Sequence, residues 1–435
     1  MNCFSLLFAL HLLFTGIASA WSLYPLTIGG LKSVAQLRKP WSSQIPQFIL
    51  DTNHPWLATN KAWLSRYPNV AEEICSRDSP LWTSPASPDH ALPADLFTNL
   101  LIDNNAAPHG ICGGRLGWPN VHDRLREMVA CEASLEGVRS LHVDVYVHDD
   151  KLSHYMETTL PPPGIPELFA DVLSQMSNLE RLDWGISYEA TREFGSAFVA
   201  KGLMLPSVKY LQPGAGSDYL VSRCPNLEVL EAGCYSHHWS WHSGDADRLE
   251  LITASTGLES LKEWRLTTQW DGWTLGMLEA ILGATPNITT LHMKGPLGIH
   301  DDVLTAHRAG RYPYYEDFQQ QTIKRYLNVL ALFPNLESLH LPDASNLELG
   351  FDGGPGCGNA YDGPSGRAYG RMVVQEGSET TELAANITMS ILPHLKSLSF
   401  GWDSANLTIN GHGLPDMTWP WTGRMEQYTY EIWEE

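Results

Sequence analysis

The sequence predicts an α/β fold in which short parallel strands lie side by side, helices cover the outer side of the sheet, and a cap precedes the array. Three observations carry this. A phrase of the form L-x-x-L-x-L returns eight times between residues 135 and 402. An amphipathic stretch with apolar residues three and four apart stands upstream of most copies. A turn pair, often Pro-Asn, separates the two.

The copies begin at Leu135, Ser177, Pro206, Pro225, Leu261, Pro286, Pro334 and Pro393, with inner anchors Leu141, Leu182, Leu211, Leu230, Trp264, Leu291, Leu339 and Leu398. The core period is about 20–35 residues, in the range of repeat architectures. Helices are expected at Val121–Ala130, Pro166–Met176, Asp247–Ala254, Thr274–Leu282, Thr322–Leu332 and Thr381–Leu392. A lone strand–helix unit cannot bury its apolar face, so stacking closes a continuous core and the ends need caps. Residues 21–134 form the expected N-terminal cap, 135–410 the array, and 411–435 the C-terminal cap or tail. Insertions are expected at 294–321, rich in Tyr, His and acid, and at 349–376, rich in Gly; long loops on a scaffold are where function concentrates.

Helix, turn and strand repeated in one direction resemble the leucine-rich-repeat family, over about Leu135–Trp402. The irregular spacing is similar to that of secreted and F-box-like proteins of filamentous fungi, although no F-box helix set is present. The resemblance implies an α/β leucine-rich-repeat solenoid, a horseshoe with parallel strands on its concave face, and ligand binding on that face.

The opening residues address the chain. Phe4–Phe14 is apolar but too short to span a bilayer, and Ala18-Ser19-Ala20 follows. This reads as a signal peptide over residues 1–20, cleaved before Trp21, and a secreted protein. With 49 acidic against 28 basic side chains the net charge is -21, which disfavours nucleic acid and anionic membrane surfaces. No later run reaches a membrane-spanning length, so no membrane insertion is expected.

Six cysteines follow the signal: Cys75, Cys112, Cys131, Cys224, Cys234 and Cys357. An oxidising compartment favours disulfides among them. A strand between Cys224 and Cys234 would hold those two apart, so each needs another partner. Asn287, Asn386 and Asn406 open N-x-S/T sequons and are candidate glycosylation sites.

In each L-x-L the middle side chain faces away from the helices. That column gives His142, Asp144, Asp183, Gln212, Glu231, Arg265, His292, His340 and Ser399. It is the candidate ligand-binding surface, for an extracellular protein or glycan, with a charge that depends on its histidines. His237-His238-Trp239-Ser240-Trp241-His242 spaces His238 and His242 for one helical turn, but Gly244 and the paired indoles favour an aromatic loop over a metal site. Trp239 with Trp241, and Trp419 with Trp421, are candidate sugar platforms. Gly363-Pro-Ser365-Gly-Arg367 is not a nucleophile elbow, and Gly353–Gly358 is not a phosphate cradle. Asp149-Asp150 and Asp301-Asp302 read as solvated loop residues or caps. No cofactor, metal or catalytic residue is assigned. Binding is the expected function; the alternative is a secreted enzyme or enzyme accessory, with its site in the insertions or the His237–His242 loop.

Overall fold

The computed structural model describes residues 45–64, 69–76, 79, 82, 92–104, 117–147, 160–232, 245–268, 272–298, 310, 315–354, 358–409 and 415–434. The signal-like run, Cys112, Cys234, Cys357, the His237–His242 segment and both Asp-Asp pairs lie outside them.

A ten-stranded sheet organises residues 99–404: β1 (Asn99–Asp103), β2 (Ser140–Val145), β3 (Arg181–Ile186), β4 (Tyr210–Pro213), β5 (Val229–Ala232), β6 (Glu263–Thr267), β7 (Thr290–Lys294), β8 (Ser338–Leu341), β9 (Ser397–Phe400) and β10 (Asp403–Ser404). Spatial order equals chain order, and every neighbouring pair is parallel except β9–β10. Register aligns the repeated phrases. Leu100, Leu141, Leu182, Leu211, Leu230, Trp264, Leu291, Leu339 and Leu398 form one buried row. Burying each such side chain contributes roughly 1.5–3 kcal/mol relative to leaving it in water. Trp264 substitutes for leucine, and its indole N–H donates to Thr285 Oγ1 at 3.0 Å, so the larger ring brings no unpaired donor into the core.

A bond pattern repeats where each strand begins. The carbonyl of Arg139 accepts the N–H groups of Glu180 and Arg181, that of Glu228 accepts those of Lys262 and Glu263, and that of Glu337 accepts those of Lys396 and Ser397. In three turns a side chain links back to the preceding turn: Asn178 Nδ2 to Glu136 O at 2.9 Å, Asn226 Nδ2 to Pro206 O at 2.8 Å, and Ser260 Oγ to Pro225 O at 3.3 Å. In the first two the linking residue is the Asn of the phrase, whose amide satisfies a backbone carbonyl that the turn exposes; the Asn335 amide instead reaches Asn287 Oδ1 at 3.4 Å.

The helices are α1 (Gln47–Leu50), α2 (Pro55–Leu64), α3 (Val70–Ile74), α4 (Trp118–Val129), α5 (Glu132–Gly137), α6 (Ile165–Ser174), α7 (Thr191–Ala200), α8 (Asp245–Ala254), α9 (Leu275–Ala284), α10 (Tyr315–Leu330), α11 (Gly363–Ile391) and α12 (Met425–Glu434). Their buried faces share one core with the strands. Around Trp184 the packing is aromatic, with Phe169, Phe194 and Phe198 edge-on at 5.4–5.6 Å. Thr274 caps α9 by accepting the Met277 N–H at 3.2 Å. In the shortest repeat a 3-10 helix, Asp218–Arg223, replaces an α-helix because too few residues remain between strands.

The ends differ from the sequence reading in three places. The sheet begins one strand before the first phrase, at Asn99, inside the expected cap. The helix expected from Thr381 starts at Gly363, so the second half of the Gly-rich stretch 349–376 is helical. Its glycines disguise it, yet Gly366 serves close packing: a Cβ there would lie 2.2 Å from the Tyr361 carbonyl carbon. Finally, Cys75 pairs with Cys131, tying α3 to α5, but Cys224 is a free thiol. Cys224 is wholly buried in the apolar core, where it packs as a small hydrophobe; its disulfide assignment is therefore corrected.

Beyond β10, strands β11 (Asn406–Ile409) and β12 (Pro415–Thr418) pair antiparallel. Trp419 and Trp421 stack 5.3 Å apart and are buried, so they belong to the core and not to a sugar platform.

Candidate functional site

The sheet face opposite the helices is polar because the strands alternate with period two. Register places His142 beside Asp183, Asp183 beside Gln212, Glu231 beside Arg265, Arg265 beside His292, His292 beside His340, and His340 beside Ser399. Leu211 opposite Leu230 sets Gln212 next to Glu231 and closes the row. Seven of the predicted ligand-binding residues and Ser399 thus share one unbroken line. Asp144 does not; it sits one pleat further along β2, opposite Asp103.

The row is held by residues two positions earlier in the strands. Arg181 bonds Asp183 at 3.1 Å and lies 3.7 Å above the Tyr210 ring. The Tyr210 hydroxyl donates to Glu231 at 2.7 Å. Arg265 then bridges Glu231 at 3.3 Å and Glu263 at 2.5 Å, and His292 Nε2 meets Glu263 at 3.0 Å. The His292 and His340 rings stack, and the Ser399 hydroxyl reaches His340 Nδ1. His142 approaches Asp183 at 3.6 Å from the other end. Arg181, Tyr210 and Glu263 stand just before the inner anchors Leu182, Leu211 and Trp264, outside a column drawn from residues between leucines, and the same period-two rule assigns them to this face.

The network sets the titration of its members. The hydrogen bond from His292, aided by Arg265 and opposed by burial, holds Glu263 down at about 2. Burial, then the neighbouring His292 charge, pushes His340 down to about 4, so its ring is neutral at pH 7. Its Nδ1 meets Ser399 Oγ and its Nε2 meets Ser338 Oγ at 3.4 Å, and in the neutral ring one nitrogen donates while the other accepts. Asp183 bonding raises His142 against the opposing effect of burial. Burial and the Glu231 bond raise the Tyr210 phenol, which stays protonated as a donor.

Chemically this is a lattice of paired donors and acceptors. The Ser399–His340 contact has the partners of a base-activated nucleophile, but Ser399 is 2% exposed and offers substrate no approach. A cavity of about 40 Å³ at the C-terminal ends of β4–β6, between Ser217, Asp247 and Arg248, has room for a few water molecules. Among the described residues no group of three or more His, Cys, Asp or Glu side chains is placed to hold a metal ion. The three sequon asparagines, Asn287, Asn386 and Asn406, are exposed. No protein-family model matches the chain, and no curated protein matches it in sequence.

Proposed function

We propose that this chain is a secreted, glycosylated binding protein, an irregular leucine-rich-repeat solenoid whose ligand lies across the polar strand face. The observation that carries the reading is the linked series of ion pairs, hydrogen bonds, one cation–ring contact and one imidazole stack from His142 to Ser399, crossing every strand from β2 to β9. A face that needed only to meet water would be served by unconnected polar side chains. Here the groups are pre-positioned, which lowers the ordering cost of binding. Parallel strands in chain order, repeated turn bonds and the L-x-x-L-x-L phrase support the leucine-rich-repeat reading. The signal-like opening, the exposed sequons and the Cys75–Cys131 bond support secretion.

The test is affinity capture from the native extracellular medium with three proteins: wild type, Arg265→Ala on the face, and Glu279→Ala on the exposed side of α9. Material retained by wild type and Glu279→Ala but lost by Arg265→Ala supports the reading. Equal retention by all three removes it. Sequencing the secreted protein should find Trp21 at its N-terminus.

A further inference from the structure

Resting on the reading of the strand face as a binding surface, we propose that its ligand is a neutral, extended polysaccharide running across the strands.

Charge is the first argument. Arg181 is paired with Asp183, and Arg265 with both Glu231 and Glu263. An ionic partner would compete with these internal pairs and gain little from them. A neutral polyhydroxyl chain exchanges its hydrogen bonds with water for bonds to groups already oriented. The overall charge of -21 repels polyanions as well.

Shape is the second. The side chains of the face are planar polar groups: guanidinium, carboxylate, imidazole, amide and phenol. Their edges present donors and acceptors in fixed pairs, which suit the adjacent hydroxyls of a sugar ring. They are also held low, with Asp183, Glu231, Glu263 and His292 each only 13–20% exposed. Neighbouring strands stand about 4.8 Å apart, close to the advance of one sugar unit in an extended chain. A polysaccharide laid across β2–β9 therefore meets one strand per unit.

Apolar surface is the third. A protein interface is anchored by buried large apolar or aromatic side chains. Among the described residues, the exposed large hydrophobics avoid strands β1–β9 and sit mainly on helices, such as Val199, Leu249 and Leu383. Trp402 is fully exposed, at 101%, in the turn between β9 and β10, three residues beyond Ser399. An indole there offers a flat apolar surface on which a sugar ring stacks.

The test is co-sedimentation of the full secreted chain with cellulose, chitin and β-1,3-glucan, beside anionic polygalacturonate gel and cationic chitosan, at low and high salt. The expected result is retention by at least one neutral polymer, unchanged by salt, and about ten-fold weaker in a Gln212→Ala/Trp402→Ala double variant of unchanged melting temperature. Glu279→Ala should bind as wild type. Retention by only the charged polymers, by no polymer, or equally by the double variant overturns the proposal. If face variants lose an extracellular partner while no neutral polymer holds the protein, the binding surface stands and the ligand class is wrong.

Discussion

The imidazole rings of His292 and His340 lie face to face, with centroids 3.7 Å apart and planes 7° from parallel. Two such rings coexist closely only while at least one is neutral. His292 is oriented by Glu263 on one side, and His340 by Ser399 on the other.

That arrangement predicts an acid-sensitive fold. Between pH 6.5 and about 4 the unfolded chain binds a proton at His340 that the folded chain refuses. The unfolded state then holds more protons, so stability falls with acidification across this window and gains nothing above it. Glu263 extends the loss from pH 4.5 towards about 2, where its ion pairs are neutralised. Melting temperature against pH should show a slope from 6.5 to 4 that flattens in His340→Phe, which keeps a stacked ring without the proton. An unaltered slope in that variant would falsify the account.

His142 has the opposite sign. Asp183 raises its folded value above 6.5, so its contribution is complete below 6.5 and disappears as pH rises through the folded value. Asp183→Asn should bring the NMR titration midpoint of His142 back towards 6.5. A midpoint unmoved by the substitution would show that the 3.6 Å pair does not set it.

Neighbours in sequence on opposite faces should differ sharply. Leu339→Ala removes a fully buried member of the leucine row and should cost about 2–5 kcal/mol in denaturant unfolding. Ser338→Ala, on the polar face, should stay within about 0.5 kcal/mol. Equal costs would mean that β8 is registered with the wrong face inward.

The cysteines make a chemical prediction. Burial pushes the Cys224 thiol up to about 12, so it should resist alkylation in the native protein and react once the chain unfolds. Peptide mapping should recover Cys75 and Cys131 joined. Losing that bond should cost roughly 2–5 kcal/mol if it behaves as such bonds do in secreted domains. Cys224 recovered in a disulfide from native material would contradict the structure.

Much of the fold was legible because burial leaves a periodic trace. The phrase at Pro225–Leu230 and the heptad-like spacing of Pro166–Met176 mark a strand and a helix within a residue or two of where they stand. Helix α11 was legible only in its last third, since Gly363, Gly366, Gly370 and Gly377 read as loop; the fold gives two of them a reason, Gly366 by close approach to Tyr361 and Gly377 by packing against Phe351. Antiparallel β10 leaves too short a trace to be read.

Within the site, the chain alone determined which residues face away from the helices, because strand alternation is local and has period two. It also determined that leucines of successive copies lie in one row. Only the tertiary structure decided that Arg181, Tyr210 and Glu263 bind the polar row together, that two histidines 48 positions apart share one stack, and that Cys224 keeps its thiol. Those outcomes depend on distances between residues remote in sequence, which are fixed by register across the sheet and by the depth of the core.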